Sequence, residues 1–272
     1  MNSADDAMRP TRSDHGAAQG RSSCGIAVMA KASNPGRTKT RLVPPLNFEE
    51  AAAFNTAFLR DVTDNLLLAG TTTNIAPYVA YGPPGTGHFF RETLSERIGL
   101  IDAWLPNFGE CLLLTIEEIF RRGHTSAVVL NSDSPTLPTQ LLVDTADLLA
   151  QPGERAVLGP SSDGGYYLLG LKNVHRRMFE DIAWSTERVG QQTLARAREI
   201  DLDVHVLPTW YDVDDADALR ALYGELLGRS PARTSLAPYR APHTAALMAD
   251  LCDSASLFER INRQARLVEM SA

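Results

Sequence analysis

The sequence predicts an α/β protein built on a mostly parallel sheet, and three observations support this fold class. Short apolar runs of strand length alternate with segments whose apolar residues recur at the helical period, as in strands joined by crossover helices. The strongest run, at 126–131, has consecutive apolar residues, which is typical of a strand covered on both faces. The chain is 44% hydrophobic and 22% charged, which is an ordinary globular composition.

The elements of the first half follow from apolar spacing and turn residues. Phe54, Phe58 and Val62 recur near the helical period and predict an amphipathic helix. Pro35 and Gly36 interrupt the polar segment before it and predict a long loop. The elements expected there are a strand at 25–30, the loop at 31–42, a helix at 48–68, strands at 75–81 and 99–105, a helix at 110–122 and the strand at 126–131.

The second half continues the same alternation. Gly164 and Gly165 separate two short apolar runs and predict a turn between strands. The elements expected there are a helix at 138–149, strands at 155–159 and 166–171, a helix at 187–200, an extended segment at 204–207 and a helix at 216–227.

Shifts in composition divide the chain into a flexible leader at 1–23, a main domain at 24–228, and a linker with a helical extension at 229–272. The leader has no apolar segment of the kind that secretory signals carry, so we expect a cytoplasmic protein. Residues 245–270 predict one or two helices. They either contact a partner, such as a second copy in a homodimer, or lie on the core, which is the commoner arrangement.

Charge and composition exclude several classes of protein. There are 26 Lys and Arg residues against 33 Asp and Glu, a net charge of −7, which argues against binding to nucleic acid. No apolar run approaches the roughly 20 residues that span a bilayer, so we expect no membrane partner. The three cysteines lack the paired spacing of a disulfide framework or zinc site, and the histidines lack ligand spacing.

A basic loop follows the first predicted strand. Arg37, Lys39 and Arg41 lie within five residues, where an open α/β sheet presents the carboxyl ends of its strands to ligands. Cations at alternate positions could surround a polyphosphate, and arginine can bind phosphate through two parallel hydrogen bonds. The alternative is a solvated basic surface loop, but the position after the first strand favours phosphate.

Asp133 lies at the carboxyl end of the strongest strand. A carboxylate there could hold a divalent cation against phosphate oxygens, because Mg²⁺ usually takes one or two carboxylates together with phosphates and water. The alternative is that Asp133 caps the helix expected near Pro138.

Four aspartates precede the last helix of the main domain. Asp215 and Asp217 suit its positive end. Asp212 and Asp214 both lie on an extended segment, and only one of the two is expected to face the metal.

Asp163, Gly164 and Gly165 form a further candidate site. The two glycines allow a close approach of backbone to ligand, although a Gly-Gly pair is also an ordinary hairpin turn. Trp184 precedes a Ser-Thr helix start and is a candidate wall for an acceptor pocket.

Taken in order, these motifs resemble the DUF2064 family of GT-A-like transferases, which are often described as glycosyltransferases. The resemblance covers residues 25–227. It rests on MAK at 29–31, PGRTKTRL at 35–42, SDSP at 132–135, GP at 159–160, DGGYY at 163–167, WST at 184–186 and DVD at 212–214. It implies the nucleotide-diphospho-sugar transferase fold, a Rossmann-like mixed and mostly parallel sheet with helices on both faces. The nucleotide would then lie over the carboxyl ends of the first strands.

The resemblance also implies roles for individual residues. The loop at 39–42 is similar to that of 2-phospho-lactate guanylyltransferases, and the segment at 213–219 is similar to the late metal-binding motif of sugar-acid cytidylyltransferases. Asp133 and Asp214 would then bind Mg²⁺ or Mn²⁺, with Asp212 as the alternative second ligand. The implied nucleotide-binding residues are Lys31, Arg37, Lys39, Arg41, Gly164 and Gly165. The implied catalytic residues are Lys39, Asp133 and Asp163, with Asp163 orienting or deprotonating the acceptor.

Two activities agree with this resemblance. The first is metal-dependent transfer of a glycosyl group from a nucleotide sugar to a small acceptor, which the single glycine of the basic loop, Gly36, favours. The second is nucleotidyl transfer from a nucleoside triphosphate to a small phosphorylated acceptor, with release of pyrophosphate. In either case the main domain would be a nucleotide-dependent transferase. The retained Asp133 and Asp214 argue against a binding module without catalysis.

Overall fold

A computed structural model describes residues 23–227 and 235–269. Nearly all of the predicted leader, residues 1–22, and part of the predicted linker, residues 228–234, lie outside the described residues. Within the described part of the chain, no helix is both long enough and apolar enough to cross a membrane. The division of the chain into three parts and the cytoplasmic location stay predictions.

The elements alternate along the chain as predicted. The strands are β1 (Cys24–Lys31), β2 (Ile75–Gly82), β3 (Gly99–Asp102), β4 (Ser126–Leu130), β5 (Ala156–Pro160), β6 (Tyr166–Leu171) and β7 (Val204–Val206). The helices are α1 (Phe48–Ala69), α2 (Gly87–Thr93), α3 (Phe108–Arg121), α4 (Thr139–Ala150), α5 (Val189–Glu199), α6 (Ala216–Leu226), α7 (Pro242–Ala255) and α8 (Leu257–Glu269). Two 3₁₀ turns lie at Thr40–Leu42 and Arg176–Phe179.

Local sequence explains where the longest helix begins. The Asn47 side chain accepts a hydrogen bond from the Glu50 amide at 2.8 Å, and the Glu50 carboxylate accepts one from the Asn47 amide at 2.9 Å. This reciprocal capping satisfies two amides that the helix itself cannot pair. Phe54 and Phe58 then face inward and are fully buried, as their spacing predicts.

The seven strands form one sheet in the order β3-β2-β1-β4-β6-β5-β7. Neighbouring strands are parallel except at β6, which runs antiparallel to both β4 and β5. The strand order reverses between β1 and β4, and a ligand crevice is expected at such a reversal in an open α/β sheet. The prediction of a mixed, mostly parallel sheet is confirmed.

Helices cover both faces of the sheet. One buried cluster joins the sheet to α1, α4 and α6, and a second joins its opposite face to α3 and α5. Every residue of β4 is buried, which explains its uninterrupted apolar run. The carboxyl ends of β1, β2, β3 and β4 therefore meet at one edge, between two helical layers.

Two features differ from the prediction. The expected strand at 99–105 ends at Asp102, because the chain then leaves the sheet and the Trp104 ring packs on Gly82, where an added Cβ would lie 1.9 Å from that ring. The short helix α2 was not predicted. Fully buried Phe90 anchors it against the core through Tyr81, whose ring centre lies 5.2 Å away.

The C-terminal helices pack on α1 through polar contacts as well as apolar ones. The Asp61 carboxylate, which is fully buried, accepts hydrogen bonds from the backbone amides of His243 and Thr244 at 3.0 and 2.7 Å. The Arg260 guanidinium of α8 donates to both carboxylate oxygens of Glu50 at 2.8 Å. Asp61 therefore caps α7 from a different helix, and α8 is tied to the start of α1.

Candidate active site

A cavity of about 410 Å³ opens at the carboxyl edge of the sheet. Its volume lies within the range of small-molecule sites. The strand order places its walls side by side, from Trp104 after β3, through Gly82 of β2 and Lys31 of β1, to Asn131 after β4 and Tyr166 of β6. Adjacent strands are about 4.8 Å apart, so a ligand lying across these ends would be elongated.

The basic loop lines this cavity and is held in place by two buried residues. The Thr38 hydroxyl donates to the Asn34 carbonyl at 3.2 Å, and Thr38 and Leu42 are buried. Arg37 and Arg41 are exposed beside these anchors, and both line the cavity together with Lys31 and Lys39. The four predicted phosphate-binding cations are therefore brought together.

Lys39 turns inward, unlike the two arginines of the loop. Its ammonium group lies 2.8 Å from Asp133 Oδ1 and 2.7 Å from Asp214 Oδ1, and it donates to the Val213 carbonyl at 2.8 Å. Only 5% of the Lys39 side chain is exposed. Burial by itself would lower the pKa of Lys39, but the two carboxylates outweigh this effect and raise the pKa above its ordinary value. Lys39 therefore remains charged at neutral pH.

Asp133 and Asp214 are 81 positions apart in the chain, and backbone contacts bring them together. The Val213 amide donates to the Asp133 carbonyl at 2.8 Å, and the Ser134 hydroxyl donates to the Tyr211 carbonyl at 2.9 Å. Ser134 is 1% exposed. This serine fastens the late acidic segment to the end of β4, a role that its sequence context did not reveal.

Asp212 does not join this pair. The Ser161 hydroxyl donates to Asp212 Oδ1 at 2.8 Å, and Asp212 does not line the cavity. Burial, reinforced by the negative charges of Asp163 and Asp214, raises the pKa of Asp212 to about 6. The geometry favours Asp214 over Asp212 as the partner of Asp133.

The Asp163-Gly-Gly turn lies beside the cavity and does not line it. The Asp163 carboxylate accepts a hydrogen bond from the Gly165 amide at 2.9 Å. Gly164 has a φ of +92°, and a Cβ there would lie 2.1 Å from the Glu187 carbonyl oxygen. The close backbone approach that the glycines permit is made to the segment before α5, and the binding roles of this turn stay predictions.

Three aromatic side chains sit at one end of the site. Trp104 and Phe108 line the cavity and are 42% and 50% exposed, and the Lys31 ammonium lies 5.5 Å from the Trp104 ring centre. Trp184 packs edge-on against Phe108, with ring centres 5.5 Å apart, and does not itself line the cavity. Sequence reasoning missed Trp104 and Phe108, because an isolated aromatic residue in a loop or at the first position of a helix carries no periodic pattern.

The residues present fit a divalent cation that arrives with phosphate. Two carboxylates converge on one point at the cavity wall, and Mg²⁺ or Mn²⁺ commonly takes such a pair together with phosphate oxygens and water. Among residues 23–227 and 235–269, no group of three or more His, Cys, Asp or Glu side chains is arranged to hold a metal without such help. The Lys39 ammonium lies at the point of convergence, so a metal there would require this side chain to move.

Residues 66–186 match the model of a protein family described as "Uncharacterized protein conserved in bacteria (DUF2064)". The predicted resemblance to DUF2064 is confirmed. The match includes Asp133, the DGGYY motif and Trp184, whereas the basic loop and Asp214 lie outside it. No curated protein matches the chain.

Solved structures share the fold of this protein. A "putative nucleotide-diphospho-sugar transferase" from Desulfovibrio desulfuricans G20 is 26% identical, with a TM-score of 0.74, covering 89% of this chain and 98% of that chain. CMP:2-keto-3-deoxy-manno-octonic acid synthetase complexed with CTP is 10% identical, with a TM-score of 0.50, covering 77% of this chain and 100% of that chain. The protein has the nucleotide-diphospho-sugar transferase fold, as predicted.

Proposed function

We propose that this protein is a metal-dependent transferase that moves a glycosyl group from a nucleotide sugar to a small acceptor. One observation carries the proposal: a single cavity combines four cationic side chains with two converging carboxylates at the carboxyl edge of the sheet. Such a site suits a diphosphate held with a divalent cation. The similar protein from Desulfovibrio desulfuricans, described as a nucleotide-diphospho-sugar transferase, supports a nucleotide sugar as the donor.

In this reaction the bond from the sugar carbon to the diphosphate oxygen breaks, and a bond from that carbon to an acceptor oxygen forms. The diphosphate leaves with its electron pair and gains negative charge. Lys31, Arg37 and Arg41 are placed to stabilise this charge, because all three line the cavity. When bound, Mg²⁺ or Mn²⁺ would add its own charge on the same oxygens.

Lys39 is the cation nearest to the carboxylate pair. Its ammonium can remain between Asp133 and Asp214 or turn to phosphate oxygens when a metal takes that position. The nucleoside would lie towards Trp104, whose exposed ring offers a flat apolar surface at the β3 end of the cavity. Asp163 remains the predicted residue that orients or deprotonates the acceptor.

A second candidate is nucleotidyl transfer, in which an acceptor phosphate attacks the α-phosphorus of a nucleoside triphosphate and pyrophosphate leaves. One observation favours it. Arg37 and Arg41 make no ion pair with other described residues, so two cations remain for further phosphate oxygens after Lys39 is paired. Both candidates use the same cavity and differ in the bond that breaks.

Thermal shifts measured with each class of ligand, with and without Mg²⁺ or Mn²⁺, test the proposal. A ligand that binds only the folded protein raises the melting temperature. We expect the largest metal-dependent shift with one nucleotide sugar. A larger shift with one nucleoside triphosphate would favour nucleotidyl transfer, and no metal-dependent shift with any nucleotide would refute both.

Three variants identify the metal ligands in the same assay. We expect Asp133→Asn and Asp214→Asn to remove the metal-dependent part of the shift, because each loses a carboxylate at the convergence point. Asp212→Asn should retain it, because Asp212 bonds to Ser161 outside the cavity. Equal losses in the Asp212 and Asp214 variants would contradict the choice of Asp214.

A further inference from the structure

Two buried polar atoms of cavity-lining residues have no hydrogen-bond partner among the residues that the structure describes. Asn131 Oδ1 and the Tyr166 hydroxyl are both shielded from solvent, and neither forms a hydrogen bond with any residue that the structure describes. Both residues line the cavity. Buried polar groups are nearly always paired, because leaving one unpaired costs free energy. Because both residues line one cavity, a ligand bound there can supply the missing hydrogen bonds.

The two side chains share one face of the sheet. Asn131 follows β4 in step with Ala127 and Val129, which belong to the buried cluster on the α3 side, and Tyr166 packs against that same cluster. Their strands are antiparallel neighbours, and the Asn131 amide donates to the Tyr167 carbonyl at 2.8 Å. The unpaired atoms thus belong to one region of the cavity wall, at the ends of adjacent strands.

The adjacent residue Tyr167 differs from Tyr166, because its hydroxyl is paired within the protein. Tyr167 also lines the cavity, but it packs in the opposite cluster and its hydroxyl donates to the Pro208 carbonyl at 3.0 Å. Two adjacent tyrosines therefore differ in whether the protein satisfies their hydroxyl groups. This difference supplies a matched control.

The chemistry of the pair selects a class of ligand. The carbonyl oxygen of Asn131 accepts a hydrogen bond, and the Tyr166 hydroxyl can donate or accept one. Burial raises the pKa of Tyr166, so the side chain is a neutral hydroxyl at physiological pH. A ligand hydroxyl can donate to the first and accept from the second. A group rich in hydroxyls, such as a hexose, satisfies both atoms.

Asn131 and Tyr166 lie close to the proposed phosphate site. Asn131 is two residues before Asp133, and the sheet order puts both β4 and β6 on the side of β1 opposite to Trp104. We propose that Asn131 and Tyr166 form a subsite that binds the hydroxyl groups of a glycosyl unit whose phosphate lies at Lys39 and Asp133. The subsite rests on the proposed function, because that function places the phosphate at Lys39 and Asp133. The glycosyl unit belongs either to a nucleotide sugar or to a sugar phosphate acceptor.

Isothermal titration calorimetry on the full chain tests the subsite with Tyr166→Phe and Asn131→Leu, each of which removes polar atoms at similar volume. The first arm uses UDP-, GDP- and ADP-linked glucose and mannose against UDP, GDP and ADP. The second arm uses glucose 1-phosphate and mannose 1-phosphate with saturating nucleoside triphosphate. We expect each variant to weaken binding of the sugar-bearing ligand about tenfold, and to leave the affinity for the plain nucleotide unchanged. The arm that shows the loss identifies the source of the sugar.

Protein stability gives a readout that does not depend on nucleotide. Tyr166→Phe should leave the melting temperature of the ligand-free protein unchanged or raise it, because it removes an unpaired buried hydroxyl. Tyr167→Phe should lower it, because the hydrogen bond to Pro208 is lost, and should leave the preference for sugar-bearing ligands intact. A fall in the melting temperature of Tyr166→Phe would show that the hydroxyl has a partner within the protein and would overturn the subsite.

The binding outcomes separate the two proposals. If the unmodified protein binds no nucleotide, the proposed function fails and the subsite fails with it. If it binds nucleotides and the variants weaken plain and sugar-bearing ligands equally, or weaken neither, only the subsite is refuted. A loss confined to sugar-bearing ligands supports both.

Discussion

Replacing Lys39 with methionine should destabilise the protein and at the same time make it more responsive to divalent cations. The substitution keeps most of the side-chain length and removes the ammonium, which makes three contacts of 2.7–2.8 Å with Asp133, Asp214 and the Val213 carbonyl. Two carboxylates are then left close together without a counter-charge. Their repulsion and the unpaired carbonyl oppose folding.

The size of the effect follows from the exposure of the groups. Removing one partner of a fully buried ion pair typically costs about 3–5 kcal/mol. The Asp133 and Asp214 side chains are 30% and 43% exposed, so water replaces part of the lost interaction. We therefore expect a loss of about 2–3 kcal/mol in the free energy of unfolding. For a protein of this size, that loss corresponds to a fall in melting temperature of roughly 4–12 °C.

The assay is differential scanning calorimetry in EDTA and then in excess Mg²⁺, at neutral pH. The pKa of Lys39 is raised in the folded state, so its contribution is complete below its ordinary value of 10.5 and is lost only at higher pH. Arg41→Met is the control, because Arg41 is exposed and pairs with no acidic residue in the described part of the chain. Mg²⁺ should stabilise Lys39→Met more than the unmodified protein, since the carboxylate pair is open to it.

Two results would refute this reasoning. If Lys39→Met and Arg41→Met melt at the same temperature in EDTA, the ion pairs of Lys39 contribute nothing. If Lys39→Met is less stable but gains no more from Mg²⁺ or Mn²⁺ than the unmodified protein does, the carboxylate pair does not bind a metal in the absence of phosphate.

Three further predictions concern the surroundings of the site. Gly164→Ala should cost about 3 kcal/mol or more in urea unfolding, because its Cβ would meet Glu187 at 2.1 Å. Gly36→Ala, with φ +73° and an ordinary 4.0 Å contact to Phe48, should cost about 1–2 kcal/mol. Asp61→Ala should cost about 2–3 kcal/mol in the same assay, because two amides of α7 lose their acceptor; no loss would contradict the cross-helix cap. Asp212→Asn should raise the melting temperature at pH 7.5 in EDTA and have no such effect at pH 4. The pKa of Asp212 is raised from its ordinary value of 3.8 to about 6, so ionisation of this carboxyl lowers stability progressively between these two pH values and fully above them.

Much of the fold could be predicted because each element has its own periodic pattern. The uninterrupted run of β4 and the helical spacing of Phe54 and Phe58 depend only on neighbours in sequence, and both agree with the structure. The helix α2 was missed because seven residues give too short a pattern. Its stability comes from Phe90 in the core, which is a tertiary contact.

The parts of the candidate site were predictable to different degrees. Arg37, Lys39 and Arg41 lie in the loop after β1. The end of this strand is visible in the sequence, so the three cations could be placed near the carboxyl edge of the sheet. Trp104 was not visible as a cavity residue, because its place depends on how the chain turns after β3 to cover Gly82. Asn131 and Tyr166 are common residues at strand ends. Only the hydrogen bonds seen in the structure distinguish them from neighbouring residues whose polar atoms are all paired.

The pairing of Asp133 with Asp214 shows why sequence reasoning left the second metal ligand undecided. Residues two apart on a regular extended segment share one side, so their spacing does not say which of Asp212 and Asp214 meets Asp133. The bonds from Val213 to Asp133 and from Ser134 to Tyr211 fix that choice, since they set the register of the late segment against the β4 end. A shift of two residues in this register would put Asp212 in the place of Asp214, beside Lys39. Ser134 is therefore a positioning residue for the second carboxylate, because its hydroxyl holds the late segment at Tyr211.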